Sequence, residues 1–493
     1  MGGVAAAEAD FDLVVVGGGI NGAGLAREAS GRGWRTLLVE AADLGSATSS
    51  ASSKLIHGGL RYLEHGEFRL VRESLHEREH LLAIAPHLVR PLDFLIPHVP
   101  GAGRPAWMVR LGLLLYDLLA GRSRLPRTRG LRLDRPPWNA GLRPGPRRGF
   151  LYPDARTDDA RLVLVNARDA FERGAEVRTR TRCLGGERAG GLWRLRLCRA
   201  DGGEEEVRSR AVANLAGPWA RQLGEAFPEA PPRTRLRLVR GSHIVVPRLH
   251  EGHHALLLQN DDGRIVFVIP WLRETHLVGT TEAVDRLDPA GPRPSEEEIQ
   301  YLIRACGRWL ERPPQREEVI WSFAGWRPLV DDGHASASAT TRDYRFELSP
   351  RGAAPILHVF GGKLTTYRRL AECAAERLDR RLGGLGPRFS HRTPLPGAEA
   401  PVPAPPPGLE ELAARHGCRW PRVASSAAEL GADLGGGLFE AELHYLQAEE
   451  WARTAEDVLY RRTKAGVFMS EAQRREVARR LAPEPGAGAP GRP

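Results

Sequence analysis

Paired cysteines are missing from this sequence. Its five cysteines (Cys183, Cys198, Cys306, Cys373 and Cys418) are scattered, with no CxxC and no Cys/His cluster. That excludes a disulfide framework and a zinc site, and it points to a reducing compartment. No uninterrupted apolar run reaches the ~20 residues that a spanning helix needs. A secretory leader is not expected either, because Glu8, Asp10 and Asp12 break what would be its apolar stretch. The expectation is a chain kept on the cytoplasmic side. Lysine is also scarce: Lys54, Lys363 and Lys464 are the three among 71 basic residues, so the net charge of +10 is carried by arginine. Such a bias makes any single arginine uninformative. With no zinc finger and no RNA-binding signature, no nucleic-acid partner is expected. The 493 residues, 42% hydrophobic and 27% charged, suit a globular chain of two or three domains.

The first strong signal is "FDLVVVGGGINGAGLAREASGRGWRTLLVEAADL". Leu13 to Val16 is a short apolar run of the kind that buried parallel strands use. Gly17, Gly19 and Gly22 then form GxGxxG. The first glycine allows a tight turn, the second lets a pyrophosphate approach the backbone, and the third lets helix and strand pack closely. The helix that begins there offers free amides and a positive dipole end to phosphates. Thr36 to Val39 is a second strand, with Glu40 at its end to accept the hydroxyls of an adenosine ribose. The alternative, a glycine-rich turn with no ligand, does not account for strand, helix and acid standing together.

The fingerprint alone does not separate FAD from NAD, but the segment after Glu40 does. An NAD enzyme would continue with further βα units. This chain enters "ADLGSATSSASSKLIHGGLRY" instead. Thr48, Ser49 and Ser50 can line the pyrophosphate and ribityl chain of an extended FAD, with Ser53, Lys54 and His57 nearer the ring. Two later segments fit the same cofactor. "AVANLAGPWA" is a strand and a Gly-Pro turn at Ala216 and Gly217. "ILHVFGGKLTTYRRL" is a strand, a turn at Gly361 and Gly362, and a helix beginning near Lys363, Leu364 and Thr365. That helix N-terminus can face the flavin edge where negative charge develops on reduction.

Together "VVGGGINGAGLA", "ATSSASSKLIHGGLRYLEHGEFRLVRESL", "RLVRGSHIVVPR", "FVIPW", "GTTEAV", "FAGWRPL" and "FGGKLTTYRRLAE" resemble the FAD-dependent glycerol-3-phosphate dehydrogenases, the bacterial aerobic, respiratory type above all, over nearly the whole chain. The resemblance implies non-covalent FAD. It implies oxidation of sn-glycerol 3-phosphate to dihydroxyacetone phosphate, with hydride leaving C2 for flavin N5 and electrons passing to a membrane quinone. It also implies a peripheral position on the inner face of the cytoplasmic membrane, and often a homodimer. Carried over by motif, His243 is the candidate base. Arg327 and Lys363 join it in catalysis, and Arg61, Tyr62 and Arg342 bind substrate. Guanidinium forks suit a phosphate dianion, and histidine is the side chain most easily poised to take a hydroxyl proton. Read without the resemblance, His243 could equally be a satisfied core histidine. The family pattern has Asp after "GTT", where this chain has Glu282.

The expected architecture is α/β. A discontinuous Rossmann-like FAD domain takes residues 10–80, 150–222 and 350–390, and a mixed-sheet substrate domain takes 81–149 and 223–349. A proline-rich linker comes next at 394–408, then a helical C-terminal domain at 409–483, and "PEPGAGAPGRP" is expected to be disordered. "RPAWMVRLGLLLYDLLAGRSRLPRTRG", Arg104 to Gly130, reads as a helix lying on an anionic membrane surface, with a buried core helix as the competing reading. Competing functions are an oxygen-using glycerol-3-phosphate oxidase, an amine or 2-hydroxy-acid oxidase, and a non-catalytic flavoprotein that senses or scaffolds.

Overall fold

The structure, a computed structural model, describes residues 8–99, 104–288, 291–331, 333 and 342–482. The terminal "PEPGAGAPGRP", expected to be disordered, lies outside them. The chain divides into two compact units, Met1–Leu395 and Pro396–Pro493.

The first unit is built on two sheets. In one, the strands Ile356–Phe360, Glu204–Asn214, Phe11–Val16, Thr36–Val39 and Glu176–Arg178 run parallel in that order, and Arg345–Leu348 is an antiparallel edge. Because side chains alternate along a strand, Val14 and Val16 face one way. They meet Cys183 of the strand Thr181–Ala189 and Trp193, Leu195 and Leu197 of its antiparallel partner Leu192–Arg199. On the opposite side the helices Ile20–Gly31, Asp159–Glu172 and Tyr367–Leu382 pack together. Gly24 lets two of them approach, since a Cβ there would lie 2.8 Å from the Tyr367 ring. Arg27 and Asp169 form a buried ion pair at 2.5 Å between two of the helices.

The second sheet has ten strands. Its main order is Ala283–Asp285, Leu236–Pro247, Thr275–Gly279, Ile265–Pro270, Ala255–Gln259, Arg90–His98, Arg148–Arg156 and Leu55–Ile56. Trp321–Val330 pairs with the second of these and Arg129–Arg132 with the seventh. Alternation again divides the residues. Phe94, Ile96, Val245, Leu257 and Leu277 face the helices Phe68–Ile84 and Ala106–Ala120. Leu95, Ile244, Val246, Leu256 and Leu258 face the helix Glu296–Gly307. Three expected domain limits shift as a result. Leu55–Ile56 and Arg148–Arg156, expected within or at the edge of the FAD segments, pair into the substrate sheet. Arg345–Leu348, expected in the substrate segment, completes the cofactor sheet. Hydrogen-bonded pairing decides these memberships, and that is a long-range property which local composition does not carry.

In the second unit, the helices Glu410–His416, Glu440–Glu449 and Glu471–Leu481 accompany a short hairpin, Asp433–Gly435 with Leu438–Phe439. Buried Glu442 accepts hydrogen bonds from Arg415 and His416. Burial alone would raise its pKa, but these two partners outweigh burial and hold it at about 2. The expected linker is anchored at points within each unit: Leu395 donates to the Ile84 carbonyl, and Trp420 donates to that of Pro403.

Three buried histidines cluster at the second sheet, with His276 on the strand Thr275–Gly279. The His250 ring lies 4.9 Å from His254 and 4.5 Å from His276. Nδ1 of His250 accepts from the Gly252 amide and that of His276 from the Leu249 amide, which requires neutral rings. Burial pushes all three pKa values down, to about 3 for His250 and about 4 for His254 and His276. Neighbouring His253, Arg248 and the rings themselves add to the effect. Below pH 6.5 the unfolded chain takes up protons that the folded chain refuses, so stability drops as the solution is acidified. The slope is roughly 1.4 kcal/mol per pH unit for each histidine. Thermal unfolding is therefore expected at a clearly lower temperature at pH 5 than at pH 7.5. His254→Phe should flatten the slope, and a profile level over this range would contradict the account.

Candidate active site

One cavity of about 1210 Å³ runs through the first unit, and nearly every residue singled out in the sequence lines it. Its floor is the glycine-rich turn. Gly17 has φ +117°, and a Cβ there would meet the Leu215 carbonyl oxygen at 2.4 Å. At Gly22 a Cβ would collide with the Gly17 carbonyl oxygen. Both positions therefore exclude a side chain, and the cavity comes right up to the backbone. Glu40 accepts hydrogen bonds from the Gly18 amide at 2.6 Å and the Ala42 amide at 2.8 Å, and burial raises its pKa. A carboxylate has about four acceptor sites, so acceptor capacity remains for ribose hydroxyls. Ser49 accepts from the Ile20 amide at 2.9 Å, at the start of the helix. Thr48 donates to the Trp326 carbonyl at 2.6 Å, which ties the floor to the other sheet.

The residues present fit an extended dinucleotide. Ala216, Gly217, Gly361, Gly362, Leu364 and Thr365 all line the cavity with Gly17, Gly19 and Glu40. Asn21, on the first turn of the helix, donates to the Gly361 carbonyl, while its own buried Oδ1 is without a partner. This residue was not singled out in the sequence. An Asn four residues after the first glycine carries no signal until the Gly361 turn is known to sit above it.

Three expected cofactor contacts, Gly22, Lys54 and Ser50, do not line the cavity; Gly22 packs against the Gly17 carbonyl instead. Lys54 is outside the cavity. Its backbone is left-handed, with φ 58°, and its ammonium turns into the protein to meet Asp159 at 2.8 Å and the Ser50 carbonyl at 3.0 Å. It is 3% exposed and lies over the Phe323 ring. Ser50 does not line the cavity either: its hydroxyl points back to the Ala47 carbonyl, 3.4 Å away. The Lys54 side chain acts on the site from behind, because Phe323 stacks on His243 with ring centroids 5.0 Å apart.

The cavity's other region is rich in cations. His243, on the strand Leu236–Pro247, shares a 2.9 Å hydrogen bond between Nε2 and the Ser53 hydroxyl, and its buried Nδ1 has no partner. A Cβ on Gly279 would lie 2.1 Å from this ring, and one on Gly241 would lie 2.4 Å from an Arg327 nitrogen. These two glycines, at "RGSH" and "VGTT", therefore make room for the functional side chains. Burial first, then Arg327 and Lys54, push His243 well below the usual histidine range, so its ring is neutral. His57 is lowered to about 3 by burial and Lys363. Arg327 donates to Thr280 Oγ1 at 2.7 Å. Burial and Arg342 lower its pKa to about 10, which still leaves it charged at neutral pH. Arg342 donates to Glu282 at 2.9 Å. Lys363 donates to Ser74 at 3.0 Å and lies over the Tyr62 ring. Arg61 and Tyr62 line the same region from the short helix Leu60–His65, which begins after left-handed Gly59. Tyr152 and Arg264 also line the cavity and were not anticipated.

A buried ion pair that loses one partner leaves a stranded charge, at a cost of ~3–5 kcal/mol. Asp159→Ala should therefore lower the thermal stability of the holoprotein sharply and loosen its cofactor. The double change Lys54→Met with Asp159→Leu should cost less. Equal losses in the two variants would show that the pair does not hold this turn.

With this geometry in place, comparison with known proteins is informative. A family model for FAD dependent oxidoreductases matches residues 12–385. The chain is 48% identical to a glycerol-3-phosphate dehydrogenase of Pseudomonas aeruginosa, over 96% of this chain and 95% of that protein. It is 45% identical to the aerobic glycerol-3-phosphate dehydrogenase of Escherichia coli K12 (95% and 97% covered) and also 45% identical to D-erythritol 1-phosphate dehydrogenase of Brucella abortus (94% and 96%). Among solved structures, the glycerol-3-phosphate dehydrogenase from Bacillus halodurans complexed with FAD matches with a TM-score of 0.72 and 25% identity, over 97% of this chain and 94% of that one.

Proposed function

We propose, for a chain that belongs to the FAD dependent oxidoreductases and within them to the glycerol-3-phosphate dehydrogenases, the oxidation of sn-glycerol 3-phosphate to dihydroxyacetone phosphate. The observation that carries the reading is the convergence of Arg61, Arg327, Arg342 and Lys363 with a neutral His243 on one part of the dinucleotide cavity. Bound FAD supplies the two-electron acceptor. The guanidinium groups of Arg327, Arg342 and Arg61 hold the substrate phosphate, for which planar forks are suited. His243 takes the proton of the C2 hydroxyl. Its lowered pKa reflects burial among cations, and a phosphate dianion among those cations raises it toward the range where a general base works best. Ser53 fixes the ring through Nε2, and Phe323 fixes its plane. Lys363, beside the Gly361–Gly362 turn, would supply positive charge to stabilise the reduced cofactor.

Anaerobic mixing of the yellow holoprotein with sn-glycerol 3-phosphate should bleach it, and D-erythritol 1-phosphate should do so far more slowly. Arg327→Ala should weaken substrate binding by ~2–5 kcal/mol. His243→Ala should slow single-turnover reduction about 100-fold or more. Faster bleaching by the erythritol compound would move the substrate assignment to a longer polyol phosphate, and an unchanged reduction rate in His243→Ala would move the base elsewhere.

We infer further that the electrons go to a quinone and that the protein works on an anionic membrane surface. Among the described residues no helix is long and apolar enough to cross a membrane. The helix Ala106–Ala120 supports a surface position. Val109, Leu113, Tyr116 and Ala120 pack on the second sheet, so the core-helix reading describes one face. The opposite face exposes Trp107 (66%), Met108, Leu111, Leu114 and Leu118 (75%). The exposed arginines Arg122, Arg124, Arg127 and Arg129 come directly after it. An apolar face beside a basic fringe is the composition of an interfacial anchor. The protein should sediment with phosphatidylglycerol vesicles. Leu114→Ser with Leu118→Ser should release it, since each buried leucine contributes roughly 1.5–3 kcal/mol, while dye reduction stays intact. A wild type that stays in the supernatant would overturn the anchor.

A further inference from the structure

Glu282 sits in the connection between the strands Thr275–Gly279 and Ala283–Asp285, and its side chain lines the cavity. One carboxylate oxygen accepts from Arg342 at 2.9 Å and lies 3.8 Å from Arg327. It thus occupies the guanidinium groups assigned to the substrate phosphate. It is not a deep structural charge, because its side chain remains partly open to the cavity, as does that of Arg327. Arg327 is held without it: Thr280 Oγ1 accepts a hydrogen bond from its Nη2, and the side chain crosses over Gly241 with no room to spare.

We propose that Glu282 is the internal counter-ion of the substrate's phosphate site. It fills the Arg327–Arg342 pair in the free enzyme and is displaced from Arg342 when a phosphate dianion enters, so it sets how tightly that dianion is held. The inference rests on the proposed binding of the phosphate by these arginines. A carboxylate and a phosphate cannot share these guanidinium groups without like-charge repulsion, which in a half-buried site is strong at contact distance. Phosphate binding therefore exchanges one anion for another. The exchange keeps a carboxylate beside both guanidinium groups in the free enzyme, and it weakens the hold on the substrate and on the product, which carries the same phosphate. Glu282 is on this account a positioning residue: it acts through the arginines and not on the reacting carbon.

The test uses the holoenzyme and inorganic phosphate as a dead-end probe. In Glu282→Gln, competitive inhibition by phosphate and the KM for sn-glycerol 3-phosphate should both tighten about tenfold. The gain should shrink in high salt, and kcat should fall as product leaves more slowly. Glu282→Asp, which keeps the charge, should stay within about threefold of wild type. Glu282→Ser offers a smaller neutral variant in case glutamine disturbs the fold. Phosphate affinity that is unchanged or weaker in a neutral variant with full flavin content would overturn the proposal. So would loss of flavin from both neutral variants, since Glu282 would then be a structural brace. If Arg327→Ala leaves substrate binding intact, the phosphate reading itself fails. If that substitution weakens binding and the neutral Glu282 variants do not tighten it, the counter-ion inference alone fails.

Discussion

The carboxylate of Asp159 ties the cofactor cavity to the substrate sheet. It accepts two hydrogen bonds from Lys54 Nζ, one from the Ser52 amide, one from the Ser52 hydroxyl and one from the Ala160 amide. It stands in the first turn of a helix, where negative charge is favoured. These bonds hold residues 52–54 in a reversal that includes a left-handed Lys54. Beyond the reversal, Leu55–Ile56 can join the second sheet, opposite Arg156 and Ala155. Just before it, Ser53 is aimed at His243. Together with the Thr48 bond to the Trp326 carbonyl, this buried charge fixes the His243 side of the cavity relative to the glycine turn.

A second buried carboxylate does the same for the outer helices. Asp154 accepts from Arg78 at 2.8 Å and from the Tyr116 hydroxyl at 2.6 Å, and Tyr116 accepts from the Gly58 amide. One network thus links the helix Phe68–Ile84, the helix Ala106–Ala120, the strand Arg148–Arg156 and the loop that presents Arg61 and Tyr62. The helix with the exposed apolar face is fixed to the substrate pocket by hydrogen bonds as well as by packing. Its leucines therefore divide by face: Leu113 packs inward, and Leu111, Leu114 and Leu118 are left outward.

Legibility in the sequence tracks the range of each interaction. The glycine fingerprint, Glu40 and the later Gly-Pro and Gly-Gly turns are local patterns with local causes, and the structure gathers them along one cavity. That Arg61, His243, Arg327, Arg342 and Lys363 would share one cavity was legible only by resemblance, because an arginine-rich chain hides them otherwise. Lys54 was misread because a lysine in a small-residue run looks substrate-facing, and its partner lies 105 residues away. The strand Arg148–Arg156 was misplaced for a similar reason: two of its partners, Arg90–His98 and Leu55–Ile56, lie some way back in the sequence. Gly241 and Gly279 passed unnoticed, since a glycine that makes room for another strand's side chain leaves no mark on its own segment.

The remaining logic is electrostatic. Guanidinium groups, an ammonium and two desolvated imidazoles share one cavity, and burial already lowers the pKa values of Arg327, His243 and His57. Gathering like charges in this way opposes folding, and a site shaped only for stability would avoid it. The chain offsets part of the cost with neutral acceptors, Thr280 for Arg327 and Ser74 for Lys363, and with the Glu282 carboxylate beside Arg342. Lys54, Arg78 and Arg368 each meet a buried carboxylate within 2.8 Å, whereas Arg327 and Lys363 donate to the hydroxyls of Thr280 and Ser74. That contrast sorts the basic residues by environment where their identity cannot. Lys54, Arg78 and Arg368 are matched within the fold, and Arg327 and Lys363 line a cavity that an anion can enter.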